Sequence, residues 1–411
     1  MKHVIHDLVL SRAPMGPLAA HLTAFVTWST GRGYSRYSRY RQVLLAAEFS
    51  RWLAQHRRST HDISSRSVAG YLDARARRRR RHRSDGGALT EVLRFLRDHG
   101  VVPAERIRPG RPTPVERLVA AYETYLRDAR ALAPMTISNY RPFVQRFLAD
   151  RFGTGAVRLS RVSAHEVVGF VQRQAAHLHP KRAKVLTAAL RSFLRYAQAR
   201  GHLTRDLIGA VPTVAQWTRT SPPRAIAAVA VRQVLASIDR RTAIGRRDYA
   251  LLLLLARLGL RAGEVVRLEL DDLDWTSGHV RVRGKGGSVA TLPLPADVGA
   301  AVAAYLRQGR PSQGSRRVFV RARAPWGGFV GSQAVDSIVR HRLIRASVTA
   351  PTRGAHQFRH ALATELLRQG ASLTEIGEVL RHRSPQTTAI YTAVDLAALR
   401  TLALPWPDGA R

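Results

Sequence analysis

Moving a phosphoryl group without a metal requires a nucleophile, positive groups for the non-bridging oxygens and an acid for the departing oxygen. The C-terminal part of this sequence holds candidates for each. Lys285 sits in Gly284-Lys285-Gly286-Gly287; the other lysines of the chain are Lys2, Lys181 and Lys184. Arginine keeps its proton near neutral pH, whereas a lysine of lowered pKa can donate one. A lysine kept in an arginine-biased chain is therefore a candidate proton donor, although taken alone a chance surface lysine is the better reading. His356 and Arg359 stand three apart, a spacing that puts both on one helix face at a helix start, where an anion is favoured. A lone pair of this kind is more often structural. Arg261 follows an apolar run, lies between Gly259 and Gly263, and has Glu264 three residues on to orient it. The competing reading is an arginine satisfying carbonyls at a helix C-terminus. His382 and Tyr391 lie across a short segment in which Ser384 and Pro385 can start a helix. A tyrosine at a helix end is usually packing, so Tyr391 carries meaning only within the set.

Positioning these residues is the work of the third of three blocks. Apolar spacing predicts helices over 231–240, 247–258, 295–307, 333–345, 356–368, 373–380 and 385–391, with antiparallel strands over 279–283 and 290–294 turning at Lys285. The first block, residues 1–107, reads as helices over 18–28, 40–55, 67–75 and 88–99, with 75–87 as a basic loop carrying Arg77, Arg78, Arg79 and Arg80. A Pro/Gly linker at 108–112 leads to a second helical block, 113–212, with helices over 115–130, 135–152, 163–177 and 181–200 and a capping box at Ser163/Glu166. A second linker spans 211–224. The first two blocks share fragments about one hundred residues apart, such as Ser38-Arg39-Tyr40-Arg41 and Ser138-Asn139-Tyr140-Arg141. We read them as copies of one unit; shared fragments between any two basic four-helix units are the alternative.

The charge balance names the partner. Lys and Arg total 67 against 28 Asp and Glu, a formal net charge of +39. Codon bias exchanges lysine for arginine but does not create such an excess, so nucleic acid is expected. Besides Arg77–Arg80, Arg141, Lys181, Lys184 and Arg381 are the candidate DNA contacts. There is no cysteine, which excludes disulfides and thiolate metal sites and fits a reducing cytoplasm. No apolar run is long enough for a membrane span.

The ordered set Arg261, Lys285, His356-x-x-Arg359, His382 and Tyr391 resembles the active site of the tyrosine recombinase (phage integrase) family. The flanking residues Gly259-Leu260-Arg261-x-Gly263-Glu264, His356-x-Phe358-Arg359-His360 and Leu380-x-His382-x-Ser384-x-x-Thr387-Thr388-x-x-Tyr391 carry the same resemblance, strongly over 225–394 and weakly over the first block. It implies a mainly α fold with a small antiparallel sheet. A helical, SAM-like core-binding domain (113–212) and a catalytic domain (224–404) would form a C-shaped DNA clamp, with 405–411 as a tail. It implies that Tyr391 attacks to leave a 3′-phosphotyrosine and a free 5′-hydroxyl, and that Arg261 and Arg359 clamp the phosphate. Lys285 would protonate the leaving oxygen, His356 would assist proton transfer from Tyr391, His382 would bond the phosphate, and Glu264 would support Arg261. Neither metal, ATP nor another cofactor is needed. Arg381 departs from the glycine often found before this histidine. The implied partners are double-stranded DNA bearing a recombination site, three further copies of the chain in a tetramer, and optionally an accessory recombinase or DNA-bending protein. The implied setting is the bacterial cytoplasm, at the nucleoid, in a mobile-element integrase or transposase. The stripe Leu396, Leu399, Leu402 and Leu404 resembles a plug for a neighbouring subunit, with packing on its own chain equally open. A type IB topoisomerase and a non-catalytic DNA-binding protein on the same fold are the rival expectations.

Overall fold

A computed structural model describes residues 15–80, 82–103, 112–214, 225–312, 314–382 and 384–394, with only the backbone of Lys285 and of 392–394. The leucine stripe from Leu396 and most of both expected linkers lie outside these residues. The chain divides into two compact units, Ile107–Thr220 and the remainder, Met1–Arg106 with Ser221–Arg411. Within them the three blocks keep separate hydrophobic cores.

In the first block, helices α1 (Leu22–Gly31), α2 (Arg36–Gln55), α3 (Ser65–Ala76) and α4 (Asp85–Asp98) enclose a core around Phe25, Phe49, Tyr71 and Phe95. The basic loop is narrower than expected, because Asp85, Gly86 and Gly87 are already helical. Asp85 is buried and accepts from Arg75 at 2.9 Å and from the His82 amide at 3.0 Å, which starts α4 early. Arg77–Arg80 remain exposed between the helices.

The second block repeats the order: α5 (Pro114–Asp128), α6 (Pro134–Phe152), α7 (Ala164–Ala176) and α8 (Pro180–Ala199). The correspondence reaches the packing. Phe25 meets Phe95 edge-on at 5.4 Å, and Tyr122 meets Phe193 edge-on at 5.4 Å. Phe49 lies 5.2 Å from Tyr71, and Phe147 lies 5.1 Å from Phe170. A 3₁₀ turn precedes the third helix in both, at Thr60–Asp62 and Leu159–Arg161, and capping boxes follow at Ser64/Ser67 and Ser163/Glu166. Arg141, Lys181 and Lys184 are exposed on α6 and α8.

The third block is built on α10 (Ala243–Leu258), which follows α9 (Ala228–Ala236). Leu251–Leu255 are all buried, and each such side chain is worth about 1.5–3 kcal/mol of transfer free energy. Gly259 ends α10 in the left-handed conformation, at φ +55°. Arg261 is not an arginine at this helix's C-terminus, the competing reading above, but the N-cap of a short helix, α11 (Ala262–Arg267). The glycine reverses the chain and releases Arg261 into a second start. A three-stranded antiparallel sheet follows in the order β1 (Leu273–Asp274), β2 (His279–Arg283) and β3 (Val289–Pro293). The β2–β3 register pairs Val280 with Leu292 and Val282 with Ala290. Helices α12 (Ala296–Gln308), α13 (Ser332–Arg345), α14 (His356–Arg368) and α15 (Leu373–Val379) complete the block. The last expected helix splits, as α16 covers only Pro385–Thr388 and the chain tightens to 3₁₀ over Ala389–Val394. No described helix is long and apolar enough to cross a membrane.

Candidate active site

Glu264 organises the arginines. Its carboxylate is buried, accepts from the Arg261 amide at 2.8 Å and guanidinium at 2.9 Å, and takes Arg381 at 3.2 Å. Burial alone would raise its pKa, but the hydrogen bonds from Arg261 and the charges of Arg381 and Arg261 hold it below the usual carboxylate value. One carboxylate thus faces two guanidinium groups, and a third stands behind them. Arg359 is 1% exposed and donates to the carbonyls of Gly259 and Leu380. Desolvation, then the charges of Arg261 and Arg381, lower its pKa to about 10. The cluster is under-neutralised by its own chain, and an arriving phosphate would relieve that repulsion.

A cleft of about 480 Å³ opens beside the cluster, lined by Arg261, Glu264, Gly284, Ser288, Arg381 and His382 among others. The β2–β3 hairpin forms one wall. Gly284 N–H donates to the Ser288 carbonyl at 2.7 Å, Gly286 takes φ +72° and Gly287 φ +77°, so the turn that bears Lys285 needs its glycines. Buried Asp272 fixes the hairpin by accepting from Arg281 at 3.1 Å and Arg283 at 2.7 Å. The lysine backbone therefore stands next to the cleft.

Helix α14 begins at His356. Asp336 on α13 accepts the Ala355 amide at 2.9 Å and anchors that helix start. His356 is exposed and its pKa is lowered by partial desolvation and by Arg359 and Arg261. His382 is hydrogen-bonded to buried Thr388 of α16 at 2.7 Å, and desolvation followed by Arg359 and Arg261 lowers its pKa to about 4. Tyr391 is 1% exposed, with its ring among Ala363, Ile376 and Leu380. Burial pushes its pKa up to about 12 while Arg359 pulls it down, so the hydroxyl lies within range of that charge.

The structure thus draws Arg261, Glu264, Arg381 and His382 round one cleft, with the hairpin of Lys285 as its wall. Arg359 lies buried within reach of the Arg261 and Arg381 charges, and Tyr391 is hydrogen-bonded from α14. Arg381, read from the sequence as a DNA contact, is tied to Glu264 and to the Leu258 carbonyl at 3.4 Å, with a left-handed φ of +55°. Arg77–Arg80, Arg141, Lys181 and Lys184 belong to the other blocks. Sequence reasoning gave no role to His360, whose Nδ1 is hydrogen-bonded to the Tyr391 hydroxyl at 2.8 Å. The available signal was its place four residues after His356, which puts both rings on one helix face.

Two consequences can be measured. Gly259→Ala forces a side chain into a left-handed turn and against Leu380 Cδ2 at 2.7 Å. We expect a loss of about 1–2 kcal/mol from the backbone alone, read as a lower Tm. Acid should also weaken the site. His360 and His382 titrate near 4 when folded and near 6.5 when unfolded, so the unfolded chain binds more protons between those values. Their contribution to stability is present above pH 6.5 and is lost as pH falls towards 4. Tm should drop over that window, and less steeply in His360→Gln, which cannot gain the proton.

A buried tyrosine bonded to His360, in range of the Arg359 charge and set near a cleft lined by Arg261, Arg381 and His382, is an arrangement suited to an anionic phosphate. The comparisons with known proteins specify it further. The Phage integrase family model matches residues 225–397, and the model of its N-terminal SAM-like domain matches residues 119–201. A protein named as an integrase/recombinase, y4rA of Sinorhizobium fredii (strain NBRC 101917 / NGR234), is 53% identical over the whole of both chains. Tyrosine recombinase XerD of Mycobacterium tuberculosis (strain ATCC 25618 / H37Rv) is 32% identical over 68% of this chain and 93% of its own. The crystal structure of XerH recombinase bound to its difH substrate after cleavage shares the fold, with TM-score 0.55 and 20% identity over 69% of this chain and 83% of that one. The chain belongs to the phage integrase family of tyrosine recombinases, DNA strand transferases that act in site-specific recombination.

Proposed function

We propose that this recombinase moves a mobile element, cutting each DNA strand with Tyr391 and holding it as a 3′-phosphotyrosine. Arg261 and Arg359 clamp the scissile phosphate and bear the charge of its transition state. Glu264 aims Arg261, His382 bonds a non-bridging oxygen, and Lys285 protonates the departing 5′-oxygen. His356 serves the proton traffic on the tyrosine side. The observation that carries the reading is the meeting of Arg261, Arg381 and Glu264 at a cleft walled by the Lys285 hairpin, with the buried Arg359 charge felt by Arg261, Arg381 and Tyr391 nearby. The mobile-element role rests on the integrase/recombinase similar along its whole length, first block included. A duplex contacted by Arg77–Arg80, Arg141, Lys181 and Lys184, a tetramer on the recombination site and a place at the bacterial nucleoid complete the proposal. Arg381 acts inside the cleft, as a second cation on Glu264.

A duplex nicked close to the cleavage point tests it, since the short 5′ fragment diffuses away and traps the intermediate. A covalent protein–DNA adduct should form in EDTA and without ATP. No adduct on the cognate site would leave a DNA-binding protein. Relaxation of any supercoiled plasmid, whatever its sequence, would point to a topoisomerase.

A further inference from the structure

A buried phenol is a poor nucleophile until something removes its proton. Tyr391 has a pKa near 12, so almost none of it is ionised at neutral pH. The partner recorded at its hydroxyl is His360 Nδ1, at 2.8 Å, and the two rings meet edge-on with centroids 5.6 Å apart. His360 is half-buried on α14, one residue after the buried Arg359. His356 stacks edge-on against it at 4.6 Å. The contact with the reacting oxygen is made by His360, not by His356.

We propose that His360 is a catalytic residue, the base that accepts the Tyr391 proton during strand cleavage. The inference rests on Tyr391 being the nucleophile. The Tyr391 O–H bond breaks and its proton passes to His360 Nδ1. The phenolic oxygen forms its bond to phosphorus, the bond from phosphorus to the 5′-oxygen breaks, and Lys285 supplies the proton to that oxygen. When the strand rejoins, the phosphorus–tyrosine bond breaks and His360 returns its proton to the phenolate. No oxidant or metal enters the balance. Desolvation, then His356 and Arg359, lower its pKa to about 4, so the ring is neutral at neutral pH and Nδ1 has a lone pair to receive the proton. The same shift makes it a weak base, so the proton moves together with the attack on phosphorus, as the phenolic oxygen loses its basicity. His356 then becomes support for the base and a neighbour of the phosphate.

The test pairs the nicked duplex with the same duplex carrying a bridging sulfur in place of the 5′-oxygen at the cleavage point. A thiolate leaves without a proton, so that substrate bypasses the acid but not the base. His360→Ala should slow adduct formation by about 10²–10⁴-fold, the range of general acid–base catalysis, and should stay slow on the sulfur substrate. Lys285→Ala should be slow on oxygen and recover on sulfur. His360→Gln keeps a polar partner for the hydroxyl yet cannot carry the proton, and should remain at least about tenfold slow; its Tm serves as the folding control. Wild-type rates in His360→Ala or full rescue by glutamine would overturn the role of His360 while leaving Tyr391 in place. Absence of an adduct from the wild-type chain would instead overturn the reading of Tyr391 and this inference with it.

Discussion

Tyr391→Phe leaves no covalent protein–DNA adduct on a nicked duplex, while the protein still folds and still binds DNA. The ring is what packs, at 1% exposure among Ala363, Ile376 and Leu380, and phenylalanine keeps it. What is lost is one hydroxyl and its bond to His360. Such a bond contributes about 0.5–1.5 kcal/mol net, so Tm should move only slightly. The chemical loss is total, because Arg261, Arg359 and His382 can polarise a phosphate but cannot attack it. A denaturing gel reads the adduct and a thermal melt reads the fold. An adduct surviving at wild-type level would show that another residue carries the DNA.

Arg359→Ala should cost both activity and stability. Its guanidinium serves the carbonyls of Gly259 and Leu380 from a fully buried position, and so ties the end of α10 to the loop before His382. Alanine leaves those carbonyls without a donor and opens a void, a combination that lies among the larger single-residue losses. The phosphate also loses a preorganised cation, for which about 10²–10³-fold in rate is typical. We expect at least that fall in cleavage, together with a visibly lower Tm. Arg359→Lys keeps a charge but not the planar fork, so it should retain more stability than alanine and recover little of the rate. Cleavage close to wild type in either variant would remove Arg359 from the clamp.

Much of this arrangement could be read in advance, because the chain spells it locally. The Gly284–Gly287 turn between alternating apolar residues predicts the hairpin, and Ser163 with Glu166 predicts the start of α7. The order of Arg261, Lys285, His356, Arg359, His382 and Tyr391 resembles the phage integrase family, and it is that resemblance, not any one residue, that implies the chemistry. The repeat of the first two blocks was faint in sequence, since Phe25 corresponds to Tyr122 and Tyr71 to Phe170, where ring packing is kept and identity is not. What stayed hidden depends on contacts distant in sequence. The bond from His360 to Tyr391 joins α14 to the chain after α16, and no periodicity reports it. Arg381 adopts a left-handed conformation that its residue type does not advertise, so its turn towards Glu264 was not foreseeable. The short helix that Arg261 caps was not foreseen, because the left-handed Gly259 starts a new element within two residues.

The most direct measurement is the chemical identity of the trapped linkage. The wild-type chain, incubated in EDTA with a nicked duplex carrying its recombination site, is digested with protease and nuclease and the cross-linked peptide is sequenced by mass spectrometry. The account predicts a nucleotide joined through its 3′-phosphate to the peptide containing Tyr391. A linkage to any other residue, or through a 5′-phosphate, would contradict it.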